Sequence, residues 1–138
     1  MLASLHGAFA MSSFLIISGA VLGGIGILAG TLSAHVIASV CSSPVQARNW
    51  EMALRSWLFH SLVLLVTGTL SLAPQASAAG GLLATAGVLF LVGTILFSGC
   101  LAALAISGRT IFAAIVPLGS LVLLAGWMFL VCAGWRIE

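Results

Sequence analysis

The sequence contains no lysine, no aspartate and no tyrosine, and its 138 residues include only four arginines and two glutamates. Charged residues make up 4% of the chain, whereas soluble domains carry about 25%. So few charges cannot cover a surface that faces water. This scarcity excludes a soluble globular enzyme, a disordered tail and a nucleic-acid-binding protein of the usual basic-surface kind.

Catalytic and metal-binding motifs are scarce as well. The three cysteines, Cys41, Cys100 and Cys132, lie far apart without CxxC spacing, which argues against a disulfide framework or a thiol redox motif. The long apolar stretches contain no carboxylate, so neither an acid–base pair nor an aspartate-driven proton path is evident. The sequence therefore predicts no enzymatic activity and no cofactor.

Apolar length is what the chain has in abundance. Hydrophobic residues make up 62% of it, and three stretches, 1–47, 56–108 and 110–135, carry no charged residue. A membrane helix needs about 20 apolar residues, so these stretches hold one, two and one spans. They are apolar on all sides, which in lipid favours helices over barrel strands. We predict a single all-α integral membrane domain, an antiparallel bundle of four transmembrane helices, with spans at about 12–38, 54–72, 82–106 and 111–134.

The most polar segment of the chain, residues 45–57, separates the first two spans. Glu51 and Arg55 are four residues apart in the order that favours a helical ion pair. We predict a short interfacial helix here, with Trp50 and Trp57 at the level of the lipid headgroups.

Arginine positions indicate the orientation. The loops that follow the first and third spans carry Arg48, Arg55 and Arg109, whereas the opposite side carries only Arg136 and the terminal amine. Cytoplasmic loops carry an excess of arginine and lysine. We therefore expect these two loops in the cytoplasm and both termini outside.

Small residues line one face of the first span. Gly19, Gly23, Gly26 and Gly30 recur at spacings of four, three and four residues. Such a groove allows another helix to approach closely in lipid. We predict that this face packs helices, and that glycine-lined faces contact other membrane subunits or a second copy of the chain.

Two histidines mark the main candidate site. His35 lies near the end of the first predicted span and His60 about six residues into the second, so a hairpin would place both imidazoles within about 10 Å of the same membrane face. The same topology brings further polar and charged residues toward that face: Ser98, Cys100, Glu51, Arg55 and Arg109. We predict a polar cluster in the leaflet nearer these loops.

Three roles for the histidines stay open. Each neutral imidazole can bond a neighbouring helix and fix its packing. The two imidazoles can also relay protons, because imidazole titrates near neutral pH, or ligate haem or a metal. A zinc site needs three or four ligands, and His6 belongs to the opposite face, so no metal site is predicted.

Three parts of the sequence resemble a known family: Gly30–Val36, Phe59–Leu62, and Gly93–Gly99 taken with the segment from Val116 to Trp127. They are similar to the YgdD-like family of small bacterial inner-membrane proteins (domain of unknown function 423), whose patterns are approximately G-A-F-G-A-H, Y-x-x-F-H, G-T-x-L-F-S-G-S and P-x-G-G…G-W. The resemblance covers roughly residues 18–134. The resemblance implies a four-helix, multi-pass protein of the bacterial inner membrane and no particular activity. The periplasmic placement of the termini rests on the arginine count alone.

The family's recurrent positions fall on His35, His60, Ser98, Gly99, Pro117, Gly119 and Trp127. Four of the pattern's positions also become helix-packing candidates: Gly99, Pro117, Gly119 and Gly126. Pro117 is expected to kink its helix. The chain departs from the pattern at residues 31–33, where Thr-Leu-Ser replaces Ala-Phe-Gly, and at Cys100, which replaces a serine.

The sequence favours a small non-enzymatic inner-membrane protein, an accessory or assembly subunit packed against a larger membrane protein complex. Loops and catalytic groups are scarce, whereas glycine-lined faces suit helix contact. The expected surroundings are the lipid bilayer and other subunits, with no nucleic acid. One alternative is a small channel or carrier for protons or neutral solutes. A further alternative is a haem- or metal-binding redox subunit acting through His35 and His60.

Overall fold

The computed structural model describes residues 2–137, with side chains described at residues 7 and 9–137. Six α-helices follow one another: α1 (Leu2–Thr31), α2 (Ser33–Ser39), α3 (Pro44–Leu70), α4 (Gly80–Thr94), α5 (Cys100–Ser107) and α6 (Thr110–Gly134). A 3-10 helix, Pro74–Ala79, precedes α4, and a π-helical turn, Ile95–Gly99, joins α4 to α5. The predicted all-α fold is confirmed, since no strand occurs within residues 2–137.

Four segments are long and apolar enough to cross a bilayer: Phe9–Thr31, Pro44–Leu70, Pro74–Ser107 and Thr110–Gly134. The prediction of four spans is therefore confirmed. The third segment, called the third span below, contains the 3-10 helix, α4, the π-helical turn and α5. The first span ends earlier than predicted, because the chain leaves the helix at Leu32 before α2 begins.

The second span begins about ten residues earlier than predicted, at Pro44. Ser43 caps this start with an extended backbone, and its Oγ accepts a hydrogen bond from the backbone N–H of Gln46 at 3.3 Å. The predicted short interfacial helix over residues 45–57 is thus the first part of α3 rather than a separate element. At 1.5 Å per residue, α3 is about 40 Å long, which exceeds a hydrocarbon core of about 30 Å.

The glycine face of α1 packs against α3. A Cβ added to Gly19 would lie 2.8 Å from the carbonyl oxygen of Ser61, and one added to Gly26 would lie 2.6 Å from the nearest side-chain carbon of α3. Gly23 is less crowded, and a Cβ on Gly30 would meet nothing within 4 Å. At Gly19 and Gly26, the close partner is therefore a helix of the same chain.

A second close approach joins the third span to α6. The backbone of Phe97 occupies the space where a Cβ on Gly119 would stand, and the ring of Phe90 lies 3.0 Å from the Cβ position of Gly126. Gly99, in contrast, has open space around it. The buried core, which includes Leu15, Leu22, Leu64, Ala86, Phe90 and Leu123, lies between these packed helices.

The loops after the first and third spans lie on the same side of the bundle. Gly108 ends α5 with a φ of +65°, a conformation that favours glycine. The side-chain Nε2 of Gln46, in the first turn of α3, lies 3.3 Å from the Cβ position of Gly108. The chain therefore alternates direction in the membrane, as the hairpin topology requires.

We predict that Gly119→Ala destabilises the bundle, because the added methyl group would overlap the backbone of Phe97. Overpacking of this kind costs about 1–3 kcal/mol. The thermal unfolding midpoint in detergent, followed by circular dichroism, should fall. Gly30→Ala is the matched control, since its methyl group would meet nothing within 4 Å. Equal midpoints for the two variants would contradict the close approach.

The orientation stays a prediction. Three arginines flank the loops after the first and third spans, and one lies near the C-terminus, so the C-terminus should be periplasmic. Alkaline phosphatase fused after residue 138 should be enzymatically active, and green fluorescent protein fused at the same point should be dark. The reverse pair of results would place the termini in the cytoplasm.

Candidate functional site

The third span contains an irregular turn in its second half. Residues Ile95–Gly99 form a π-helical turn between α4 and α5. Such turns insert an extra residue into an α-helix and occur frequently at functional sites. One side of the turn packs closely on Gly119 of α6, and Ser98 contributes to a cavity shared with α1 and α3. The turn therefore combines a packing contact with a cavity wall.

Ser98 carries an unpaired hydroxyl. Its side chain is 0% exposed, and its Oγ has no hydrogen-bond partner within the described residues. Serine and threonine in helices commonly donate to a carbonyl three or four residues earlier. Hydroxyls in this chain that do so include those of Thr31, Ser61, Thr67, Thr69, Thr85, Thr94 and Ser120. The hydroxyl of Ser98 is thus buried and makes no hydrogen bond with the described residues.

A cavity of about 170 Å³ lies between α1, α3 and the third span. Ser98 and Ala102 belong to its wall in the third span, and Gly26 belongs to its wall in α1. Trp50 and Trp57 contribute its wall in α3. The exposed surface of this cavity is entirely apolar, and the hydroxyl of Ser98 lies behind it.

The two tryptophans hold α3 against the first hairpin arm. Nε1 of Trp50 donates to Oγ of Ser33 at 2.9 Å, and Nε1 of Trp57 donates to the carbonyl of Leu22 at 2.7 Å. Trp50 is only 7% exposed. Both N–H groups are therefore engaged within the bundle. The ring of Trp50 therefore faces α2, and the ring of Trp57 faces α1.

His60 is buried among aromatic rings. Its imidazole lies 5.1 Å from the ring centre of Phe59 and 6.1 Å from that of Phe90. Nδ1 lies 2.8 Å from the carbonyl oxygen of Ser56. A carbonyl only accepts, so Nδ1 carries the proton and Nε2 of the neutral ring is an acceptor. Trp127 extends the cluster at 5.2 Å from Phe90, which joins α3, α4 and α6.

His35 lies apart from His60. Its side chain is exposed on α2 and forms no hydrogen bond or ring contact with the described residues. The bond between Trp50 and Ser33 sets the level of α2, and His60 is ten residues, or about 15 Å, farther along α3. The expectation that both imidazoles share one depth is therefore corrected. The early start of α3 carries His60 deeper into the bundle.

The other candidates are distributed around the loop side of the bundle. Glu51 and Arg55 form the expected ion pair at 3.6 Å, with 52% and 83% of their side chains exposed. Arg109 is exposed after the turn at Gly108, and Cys100 is a half-buried free thiol two residues after Ser98. These groups lie at the surface or in separate contacts, and Ser98 alone among them lines the cavity.

The arrangement favours packing and apolar binding over ion chemistry. The described residues contain no group of three or more histidine, cysteine or acidic side chains that could hold a metal ion. Haem ligation by both histidines would require the two rings to meet one iron atom, which their different depths oppose. Buried hydroxyls at Ser61, Thr67 and Thr94 each donate a hydrogen bond to a carbonyl of their own helix.

Sequence reasoning included Ser98 but interpreted Trp50 and Trp57 as interfacial anchors. A signal for the cavity wall was present, because Trp50, Ala53 and Trp57 recur at i, i+3 and i+7 and therefore share one face of a helix. The π-helical turn has no comparable signature in the sequence. Without it, Ser98 would be expected to bond to its own helix.

We predict that His60→Ala destabilises the protein, whereas His35→Ala does not. Removing the buried imidazole leaves a void beside Phe59 and Phe90 and should lower the free energy of unfolding by about 2–3 kcal/mol. The exposed His35 should change it by no more than about 0.5 kcal/mol. Unfolding in detergent of the two variants, measured side by side, checks this. Equal effects would show that His60 is not a packing residue.

The chain resembles known membrane proteins over most of its length. The sequence model of the family described as "Protein of unknown function (DUF423)" matches residues 29–120. The UPF0382 inner membrane protein YgdD of Escherichia coli K12 is 30% identical over 127 residues, which cover 92% of this chain and 93% of YgdD. No solved structure matches the chain.

Two further relatives come from Gram-positive bacteria. A UPF0382 membrane protein of Staphylococcus haemolyticus is 32% identical over 63% of this chain and 67% of its own length. The UPF0382 membrane protein YwdK of Bacillus subtilis is 34% identical over 61% of this chain and 66% of its own length. The match thus spans about two thirds of these relatives. The chain belongs to the DUF423 family, which is described as proteins of unknown function and includes membrane proteins such as YgdD.

Proposed function

We propose that the chain is a non-enzymatic accessory or assembly subunit, which packs the outer face of α1 against a larger membrane protein complex. The observation that carries this proposal is an open small-residue face on α1. The absence of carboxylates from the apolar stretches supports a role without acid–base catalysis.

Opposite faces of α1 carry different contacts. Leu15, Gly19, Leu22 and Gly26 are buried, and their spacing of four, three and four residues places them on the side of α3. The outer face contains exposed residues at a similar period: Ile17, Ala20, Gly24, Ile27 and Thr31. A Cβ on Gly24 would meet nothing within 4 Å. The chain's own helices therefore leave this second face uncovered.

The spacing of small residues on the outer face of α1 suits close contact with another membrane helix. Ala20 and Gly24 are four residues apart, which is the small-xxx-small spacing that allows two membrane helices to approach closely. The larger Ile17 and Ile27 side chains flank this gap and are 62% and 64% exposed. Because lipid tails are as apolar as leucine, association in a bilayer depends on packing of this kind rather than on water exclusion.

We expect Gly24→Leu to release the chain from its complex. A leucine side chain would fill the gap that a partner helix needs, and it would meet no atom of this chain within 4 Å at its Cβ. The measurement is co-purification from native membranes in mild detergent, with the size and composition of the complex determined by chromatography and mass spectrometry. Ala114→Leu, at an exposed small residue of α6, is the matched control.

We expect three elution results from this experiment. The parent chain and Ala114→Leu must elute with another membrane protein, and Gly24→Leu must elute without it. A parent chain that is monomeric and partnerless in native membranes would contradict the proposal. A complex that contains only copies of this chain, or one that survives Gly24→Leu unchanged, would also contradict it.

A further inference from the structure

We infer that the cavity between α1, α3 and the π-helical turn binds an uncharged, membrane-soluble molecule with a benzene-sized ring and one hydrogen-bonding oxygen, the chemistry of a phenol. Ser98 would bond to the oxygen, and Trp50 and Trp57 would contact the ring. This inference is independent of the outer face of α1.

The wall of the cavity offers a ligand at most one hydrogen-bonding side chain, Ser98, whose hydroxyl lies behind an apolar surface. Both indole N–H groups of the wall already donate hydrogen bonds, one to Ser33 and the other to Leu22. Ser98 is the one lining residue with a hydroxyl, and that hydroxyl is unpaired within the described residues. A buried water molecule usually needs two to four polar partners. An apolar molecule with one oxygen satisfies Ser98 and otherwise matches the lining.

The lack of charged side chains in the cavity lining disfavours a charged ligand. Its lining consists of alanine, glycine, leucine, isoleucine and tryptophan in addition to Ser98, and it contains no ionisable side chain. Moving a charged group into such surroundings without a partner is strongly unfavourable. The ligand is therefore neutral.

The size of the cavity matches a single ring. Its volume is about 170 Å³, and cavities of about 150 Å³ with apolar walls bind benzene. Two tryptophan side chains provide broad, rigid contact surfaces for another ring. A phospholipid headgroup or a folded acyl chain would exceed this volume.

The cavity is reached from the bilayer. Ile25 belongs to its lining and is 49% exposed within the membrane-spanning segment Phe9–Thr31. A ligand that partitions into lipid can therefore approach without crossing the polar loops. The oxygen of Ser98 lies behind the wall surface, so binding requires rotation of its side chain. That rotation breaks no hydrogen bond with the described residues.

Tryptophan fluorescence provides the test. The full chain carries four tryptophans, and Trp127→Phe with Trp135→Phe would leave the two cavity tryptophans as the fluorophores. Titration of this protein in phosphatidylcholine nanodiscs with 4-bromophenol should give saturable quenching. Bromobenzene, which has the same ring and no hydroxyl, should bind about two- to tenfold more weakly because one hydrogen bond is lost.

Variants assign the effect to the cavity. Ser98→Ala should weaken 4-bromophenol to the level of bromobenzene and leave bromobenzene unchanged. Ser120→Ala is the matched control, since its exposed hydroxyl bonds to the carbonyl of Pro117 on α6. Ala102→Phe should abolish saturable quenching by both probes. Ala29→Leu serves the same purpose from α1 where Ala102→Phe does not fold.

Three results would overturn the inference. Quenching that rises linearly without saturation would indicate partitioning into lipid only. Equal affinities for the two probes would remove the hydrogen bond from recognition. Unchanged binding of 4-bromophenol to Ser98→Ala, in a variant with the parent's unfolding midpoint, would show that the hydroxyl does not contact the ligand.

Discussion

Close approach of helix backbones is the contact on which the rest of this structure depends. In lipid, burying apolar side chains between helices gains little over contact with the tails, so association relies on packing and on internal hydrogen bonds. Gly19 and Gly26 allow α3 to approach α1, and Gly119 allows α6 to approach the backbone of Phe97. These contacts fix the relative depths of the helices. Ser98 of the π-helical turn and Ala102 of α5 form the wall of the cavity on the third span.

The span count and the glycine face could be predicted because they follow from local composition. Charge scarcity and run length determine how many helices cross the membrane, and the spacing of Gly19 and Gly26 determines which face packs. The depth of His60 could not be predicted in the same way. It depends on whether α3 begins at Pro44 or ten residues later, and each helical residue moves the imidazole by about 1.5 Å. The cap formed by Ser43 places that start at Pro44.

The positions that carry the family resemblance divide into distinct physical roles. Gly119 allows a backbone contact, and Trp127 packs on Phe90 at 5.2 Å. His60 bonds to its own helix through Nδ1 and fills space between rings. Ser98 makes no such contribution, because its hydroxyl is buried and unpaired. A residue that costs stability without contributing a bond is the one whose role is best sought in binding.

The two faces of α1 bring the proposed complex and the proposed ligand into one neighbourhood. Gly24 lies on the uncovered outer face, and Ile25, the next residue, belongs to the lining of the cavity. Successive residues of a helix are separated by about 100° around its axis. A partner helix seated on Gly24 would therefore border the lateral entrance without entering the cavity.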